Sequence, residues 1–66
     1  MQITVNGQAR EVSDGLTVAE LLRGLGVPGD GVAVAVDREV VPRSAHASTA
    51  LRGGAQVEVL VAVGGG

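Results

Sequence analysis

Leu16-Thr17-Val18-Ala19-Glu20-Leu21-Leu22-Arg23-Gly24-Leu25-Gly26-Val27-Pro28 is the stretch whose reading decides the fold. Thr17 stands where a helix begins and Glu20 follows three residues later. This is the spacing of a capping box, in which each side chain accepts from the other's backbone N–H. Leu16 before the cap and Leu21 after it are placed to form a hydrophobic staple. Val18, Leu21, Leu22 and Leu25 recur at i, i+3, i+4 and i+7, so they share one helical face. Gly26 can adopt the left-handed conformation that closes a helix, Val27 is then placed to touch Leu22, and Pro28 blocks a further turn. A single short helix with one apolar face needs a sheet to bury it.

The flanking segments supply that sheet. Ile3 and Val5 alternate with Gln2 and Thr4, the pattern of a half-buried strand. Asn6-Gly7 is a strong hairpin signal, because a type I′ turn needs φ > 0 at both central residues. Residues 8–12 then form the return strand. A two-residue loop sets Val5 opposite Gln8, Ile3 opposite Arg10 and Met1 opposite Val12. Arg10, the charged member of that face, is expected to lay its stem along a sheet edge and keep its head in water.

Beyond the helix, residues 29–31 read as a loop and Val32–Val36 as a strand of Val alternating with Ala. Asp37-Arg38 looks like a turn, weaker than Asn-Gly for want of glycine. Glu39–Val41 is a short strand ended by Pro42. Residues 43–52 show no clear period, with one turn of 3₁₀ helix expected near 44–48. Gly53-Gly54 marks another turn, and residues 56–63 form the last and longest strand. Val57, Val59, Val61 and Val63 share one of its faces; Glu58, Leu60 and Ala62 share the other. The order is hairpin, helix, hairpin, final strand, with first and last strands able to lie side by side in parallel. This predicts an α+β, ββαβββ arrangement, the β-grasp or ubiquitin-like fold, with a mixed sheet packed on one helix. The domain is expected over 1–63, and 64–66 is expected to be a flexible tail.

Composition narrows the functions such a domain can serve. With 66 residues there is material for one domain. There is no cysteine, hence no disulfide and no thiolate metal site, and one histidine does not make a zinc site without carboxylates. Hydrophobic residues make up 45% of the chain, enough for an aliphatic core. Aromatic residues are absent, which removes the stacking platform used on single-stranded nucleic acid. Net charge is −2 and the arginines are scattered, so no basic footprint for nucleic acid or anionic membrane is visible. No apolar run is long enough to span a bilayer and no signal-peptide pattern opens the chain. A soluble, cytoplasmic protein is expected, monomeric when free.

Several residues invite a catalytic reading and fit a structural one better. His46 has no nucleophile or partner base near it in sequence. Glu39 and Glu58 read as solvated strand carboxylates rather than an acid–base pair. Gly24 and Gly26 follow a helix instead of opening one, the wrong context for a phosphate loop. Arg43 reads as a loop charge.

The chain ends Val63-Gly64-Gly65-Gly66 directly after a strongly β-forming strand. Glycines add no packing and lose the most entropy on ordering, so such a tail either frays or is meant to thread a narrow channel with its carboxylate forward. From end to end the chain resembles the ThiS family of thiamine-biosynthesis sulfur carriers. The residues that carry the resemblance are Met1-Gln2-Ile3, Val5-Asn6-Gly7, Thr17-Val18-Ala19-Glu20-Leu21-Leu22, Val40-Val41-Pro42-Arg43 and Ala62-Val63-Gly64-Gly65-Gly66. A terminal Gly-Gly is common to ubiquitin-like carriers, whereas the Val-Pro-Arg run and the short length point to ThiS. Gly64, a third glycine, is a mild departure.

The resemblance implies a carrier and not an enzyme. Its Gly66 carboxylate would be adenylated by an E1-like, ThiF-type adenylyltransferase using ATP and magnesium. A sulfur donor system would convert it to a thiocarboxylate, and a ThiG-type thiazole synthase would take the sulfur. No cofactor or metal would be bound by the chain. Gly64 and Gly65 would give access to the partner's active site. Leu60 and Ala62, facing away from the helix, are expected to belong to the docking surface, unless the 43–52 segment covers them. The small subunit of molybdopterin synthase, or another thiocarboxylate carrier such as one serving cysteine synthesis, is a neighbouring reading. A ubiquitin-like modifier and a plain interaction domain are readings of another class. The absence of lysine excludes lysine-linked chains of this protein but not single tagging.

Overall fold

The computed structural model describes residues 1–27 and 31–61. Strand β1 (Gln2–Val5) and strand β2 (Gln8–Glu11) form an antiparallel hairpin. Helix α1 spans Val18–Leu25, and strands β3 (Val32–Val36) and β4 (Glu39–Val41) form a second hairpin. A 3₁₀ turn covers Arg43–Ala45, and strand β5 (Gln56–Val61) ends the described chain. The sheet order is β2-β1-β5-β3-β4, with β1 and β5 parallel and every other pair antiparallel. The mixed sheet with a helix on one face is the expected β-grasp arrangement, with β5 at its centre. No helix among the described residues is long and apolar enough to cross a membrane.

The first hairpin has the register that its two-residue loop requires. Val5 pairs with Gln8 and Ile3 with Arg10, and Asn6 and Gly7 both take positive φ (50° and 82°). Val12 lies just past β2, yet its N–H donates to Met1 O at 2.8 Å, so the pairing reaches Met1 as expected. The second hairpin makes the same kind of turn without glycine: Asp37 and Arg38 have φ of 50° and 72°. Left-handed backbone costs a non-glycine residue about 1–2 kcal/mol. Bonds to β5 hold this turn in place. Asp37 N–H donates to Gln56 O (2.8 Å), and Gln56 N–H donates to Asp37 Oδ1 (3.0 Å).

The helix forms as its sequence dictates. Thr17 N–H donates to Glu20 Oε1 (2.9 Å) and Glu20 N–H to Thr17 Oγ1 (3.2 Å), completing the capping box. At the other end Gly26 is left-handed (φ 72°), its N–H reaching Arg23 O while Val27 N–H reaches Leu22 O at 3.0 Å. That is a Schellman closure. Val18, Leu21 and Leu22 are buried against Ile3, Val5, Val34, Leu51, Ala55, Val57 and Val59, a core built from aliphatic side chains alone.

The aperiodic 43–52 segment has a task that its side chains do not advertise. It passes along the start of α1, where Val18 N–H donates to Thr49 O (3.0 Å) and Ala19 N–H to His46 O (3.0 Å). Together with the capping box, these bonds satisfy all four N–H groups that a helix leaves open at its start. Leu51 N–H donates to Leu16 O (2.8 Å) and the Leu51 side chain enters the core. The 3₁₀ turn begins at Arg43, one residue before the expected position, because Pro42 O already accepts from Ala45 N–H (2.8 Å).

Candidate functional site

The expected working end lies at the exit of β5. Within that strand Val57 and Val59 are buried while Gln56, Glu58 and Leu60 face out, the alternation expected of a strand covered on one side. Val61 shares the inner face yet is 49% exposed, beyond the shelter of the core. The expected boundary between a 1–63 domain and a 64–66 tail, and the site residues Ala62, Gly64, Gly65 and Gly66, lie outside the described residues.

Leu60 is described, and it is 68% exposed. The segment that could have covered it, 43–52, packs along the helix on the opposite side of the sheet, so that alternative is excluded for Leu60. Across the ladder Leu60 meets Ala33, while Glu58 meets Ala35 and Ala35 meets Val40. Val40 is 76% exposed. Leu60 and Val40 therefore stand on one open sheet face, separated by small alanines and bordered by Glu58.

The residues set aside on sequence grounds prove structural or solvated. His46 is 5% exposed and its Nε2 lies 3.1 Å from Val41 O. A carbonyl only accepts, so the ring proton sits on Nε2 and the imidazole ties the segment after β4 back to that strand. Glu39 and Glu58 are exposed strand residues. Arg43 is exposed at the start of the 3₁₀ turn. Among the described residues no cluster of His, Asp or Glu could hold a metal ion.

Among the described residues two ionisable groups are perturbed, both by local hydrogen bonds. The Met1 amino group donates to Val12 O (2.6 Å) and lies 3.2 Å from both Asp14 and Glu11 carboxylates. The Asp14 bond, then the Glu11 bond, hold its pKa above the ordinary value. Glu20 is held below the ordinary carboxylate range, first by the Thr17 N–H and then by the Thr17 hydroxyl. Both belong to the scaffold.

Sequence reasoning missed the second role of Asn6. Its side chain crosses to β5, where Val59 N–H donates to Asn6 Oδ1 (2.8 Å) and Asn6 Nδ2 donates to Val59 O (3.2 Å). The turn alone would accept Asp or Gly at this position. No local sequence signal separates a turn asparagine from one whose amide also reaches a strand 53 residues away.

Comparison with known proteins agrees with this geometry. The sequence pattern of the ThiS family matches residues 3–66. The sulfur carrier protein ThiS of Escherichia coli is 36% identical over 66 residues, covering all of both chains. Thiazole synthases of Paramagnetospirillum magneticum and Magnetococcus marinus are 39% and 36% identical over the same 66 residues. The chain spans about a fifth (20%) of the length of those two relatives. The crystal structure of a thiamine biosynthesis protein (ThiS) from Geobacter metallireducens superposes with a TM-score of 0.84, at 39% identity and full coverage of both chains.

Proposed function

The chain belongs to the ThiS family, and from that membership we propose that it is a sulfur carrier of thiamine biosynthesis whose sulfur travels as a thiocarboxylate on Gly66. The observation that carries this reading is the family match through to residue 66, which takes in Gly64, Gly65 and Gly66. The position of β5 between β1 and β3 supports it, since β3 stays paired with β5 as far as Val61, the last described residue before the tail.

The chemistry follows from the weakness of a carboxylate as an electrophile. An E1-like adenylyltransferase couples the Gly66 carboxylate to AMP, releasing pyrophosphate from magnesium-bound ATP. The terminal sulfur of a donor persulfide attacks the acyl carbon and AMP leaves. A thiol then reduces the resulting acyl disulfide, freeing the Gly66 thiocarboxylate and leaving a disulfide behind. The carrier supplies no acid, base or metal ligand to these steps. With no cysteine of its own, it offers no internal thiol to intercept the sulfur by exchange.

The open sheet face is the docking surface in this reading, with Leu60 as its anchor and Ala62, two residues on in the chain, as its second member. The adenylyltransferase and a thiazole synthase would use it in turn, in the cytoplasm. Two relatives named thiazole synthase match this whole chain over only a fifth of their length, which supports the synthase as the second partner.

The deciding experiment is an intact mass before and after incubation with ATP, magnesium, a sulfide source and the cognate adenylyltransferase. One oxygen is expected to be exchanged for sulfur, and the exchange should vanish when Gly66 is deleted. An unchanged mass, with an enzyme active on another carrier, overturns the proposal.

A further inference from the structure

The ladder between β1 and β5 is short. Its pairs are Thr4 with Gln56 and Val5 with Val57, and its last backbone bond runs from Asn6 N–H to Val57 O (2.9 Å). At Gly7 the chain turns away into β2. From there on β5 keeps β3 on one side, through Val59–Val34, Leu60–Ala33 and Val61–Val32. On its other side the N–H and C=O of Val59 point toward a strand that has ended.

The Asn6 side chain takes that strand's place. Its Oδ1 accepts from Val59 N–H and its Nδ2 donates to Val59 O, as a backbone peptide group would. Both bonds are partly buried. The demand on the residue is narrow. It must tolerate φ of 50°, and it must offer one acceptor and one donor at the reach of a single methylene. Asparagine meets both conditions. Aspartate keeps the acceptor and loses the donor; glycine keeps only the backbone.

We propose that Asn6 is a positioning residue for sulfur transfer: its amide clamps β5 at Val59, two residues before the described strand ends, and so holds the strand end from which the chain continues to Gly66. This rests on Gly66 being the working end. A tail that must enter a partner's channel binds in proportion to the fraction of carriers that present it correctly. Releasing Val59 lowers that fraction without touching the reacting atoms. The effect falls on KM for the carrier and leaves kcat alone.

The test compares Asn6→Gly and Asn6→Asp with Thr17→Ala, which weakens the domain at the start of α1, away from β5. Pyrophosphate release by the adenylyltransferase is followed below the melting range of all four proteins. Amide hydrogen exchange is read by NMR at Val59, which Asn6 holds, and at Leu60, which faces β3. For Asn6→Gly, KM is expected to rise about fivefold at unchanged kcat, with faster exchange at Val59 and Leu60. Asn6→Asp falls between it and the wild type, and Thr17→Ala shows neither change. Should Asn6→Gly fail to fold, Asn6→Asp carries the comparison. A wild-type KM in the Asn6 variants, or an equal rise in Thr17→Ala, overturns the proposal while leaving the sulfur-carrier reading intact. If the wild type itself is not adenylated, that reading falls, and unchanged exchange at Leu60 in the Asn6 variants overturns the clamp independently.

Discussion

Replacing Leu60 by arginine should separate the fold from its docking. The side chain is 68% exposed on the sheet face away from α1, and it meets Ala33 across the ladder. An exposed substitution of this kind changes stability by no more than about 0.5 kcal/mol, a melting shift of roughly 2–4 °C in a domain this small. Docking is another matter. Fully burying a leucine is worth about 1.5–3 kcal/mol, and two-thirds of that surface is still available to a partner. Its loss therefore costs about 1–2 kcal/mol, or about 5- to 30-fold in affinity. Arginine adds a charge that the interface must desolvate, so the lower figure is a floor. The assay pairs thermal melting with the concentration of carrier that half-saturates pyrophosphate release by the adenylyltransferase. Unchanged melting together with unchanged half-saturation refutes the assignment of this face. A large loss of stability would show instead that Leu60 contributes to the fold.

Other predictions address the scaffold. Thr17→Ala removes the hydroxyl that accepts from Glu20 N–H and should cost about 1 kcal/mol, read as a lower midpoint in urea; an unshifted midpoint removes the capping box from the account. Glu20 sits below its ordinary pKa, so its contribution is complete above about pH 4.3 and lost as pH falls through the lower folded value; Glu20→Gln, which can still cap, should flatten that limb in acid titrations followed by circular dichroism. The Met1 amino group is shifted the other way, so its contribution is complete below about pH 8 and lost as pH rises through the higher folded value. The chain has no lysine, tyrosine or cysteine to titrate over that range, so Nα-acetylation should abolish the alkaline decline in stability, and a persistent decline would show that another group causes it. Arg38→Gly relieves a left-handed residue at φ 72°. The relief of about 1–2 kcal/mol, less about 0.5–1 kcal/mol for glycine's freedom in the unfolded chain, should leave a small rise in melting temperature; a fall would show that the Arg38 side chain makes a contact worth more than the strain.

Much of this architecture was legible because the signals are local. Thr17 and Glu20 are three residues apart, Gly26 and Val27 close the same helix, and a two-residue loop at Asn6-Gly7 dictates every pair in the first hairpin. The alternation along β5 assigned Leu60 to the outer face for the same reason. What could not be read is held by partners distant in the chain. Residues 43–52 show no period because their carbonyls, not their side chains, serve the helix start, and a backbone acceptor leaves no mark in sequence. The left-handed pair Asp37-Arg38 depends on Gln56, and Asn6 depends on Val59. Each of these was recognised as a turn, but its strength comes from β5.

The same bookkeeping of polar groups explains why a protein with so few chemical side chains can still serve a reaction. The four open N–H groups at the start of α1 are all taken, by Thr17, Glu20, His46 and Thr49. The one histidine donates its Nε2–H to Val41 O. Among the described residues no buried side-chain nitrogen or oxygen lacks a partner. A helix start saturated in this way has no donor left for a phosphate. What the described fold leaves outward is an apolar sheet face around Leu60 and Val40. In the proposed reading this suits a carrier: the described residues serve as scaffold and docking face, and the reactive groups come from the enzymes that engage it.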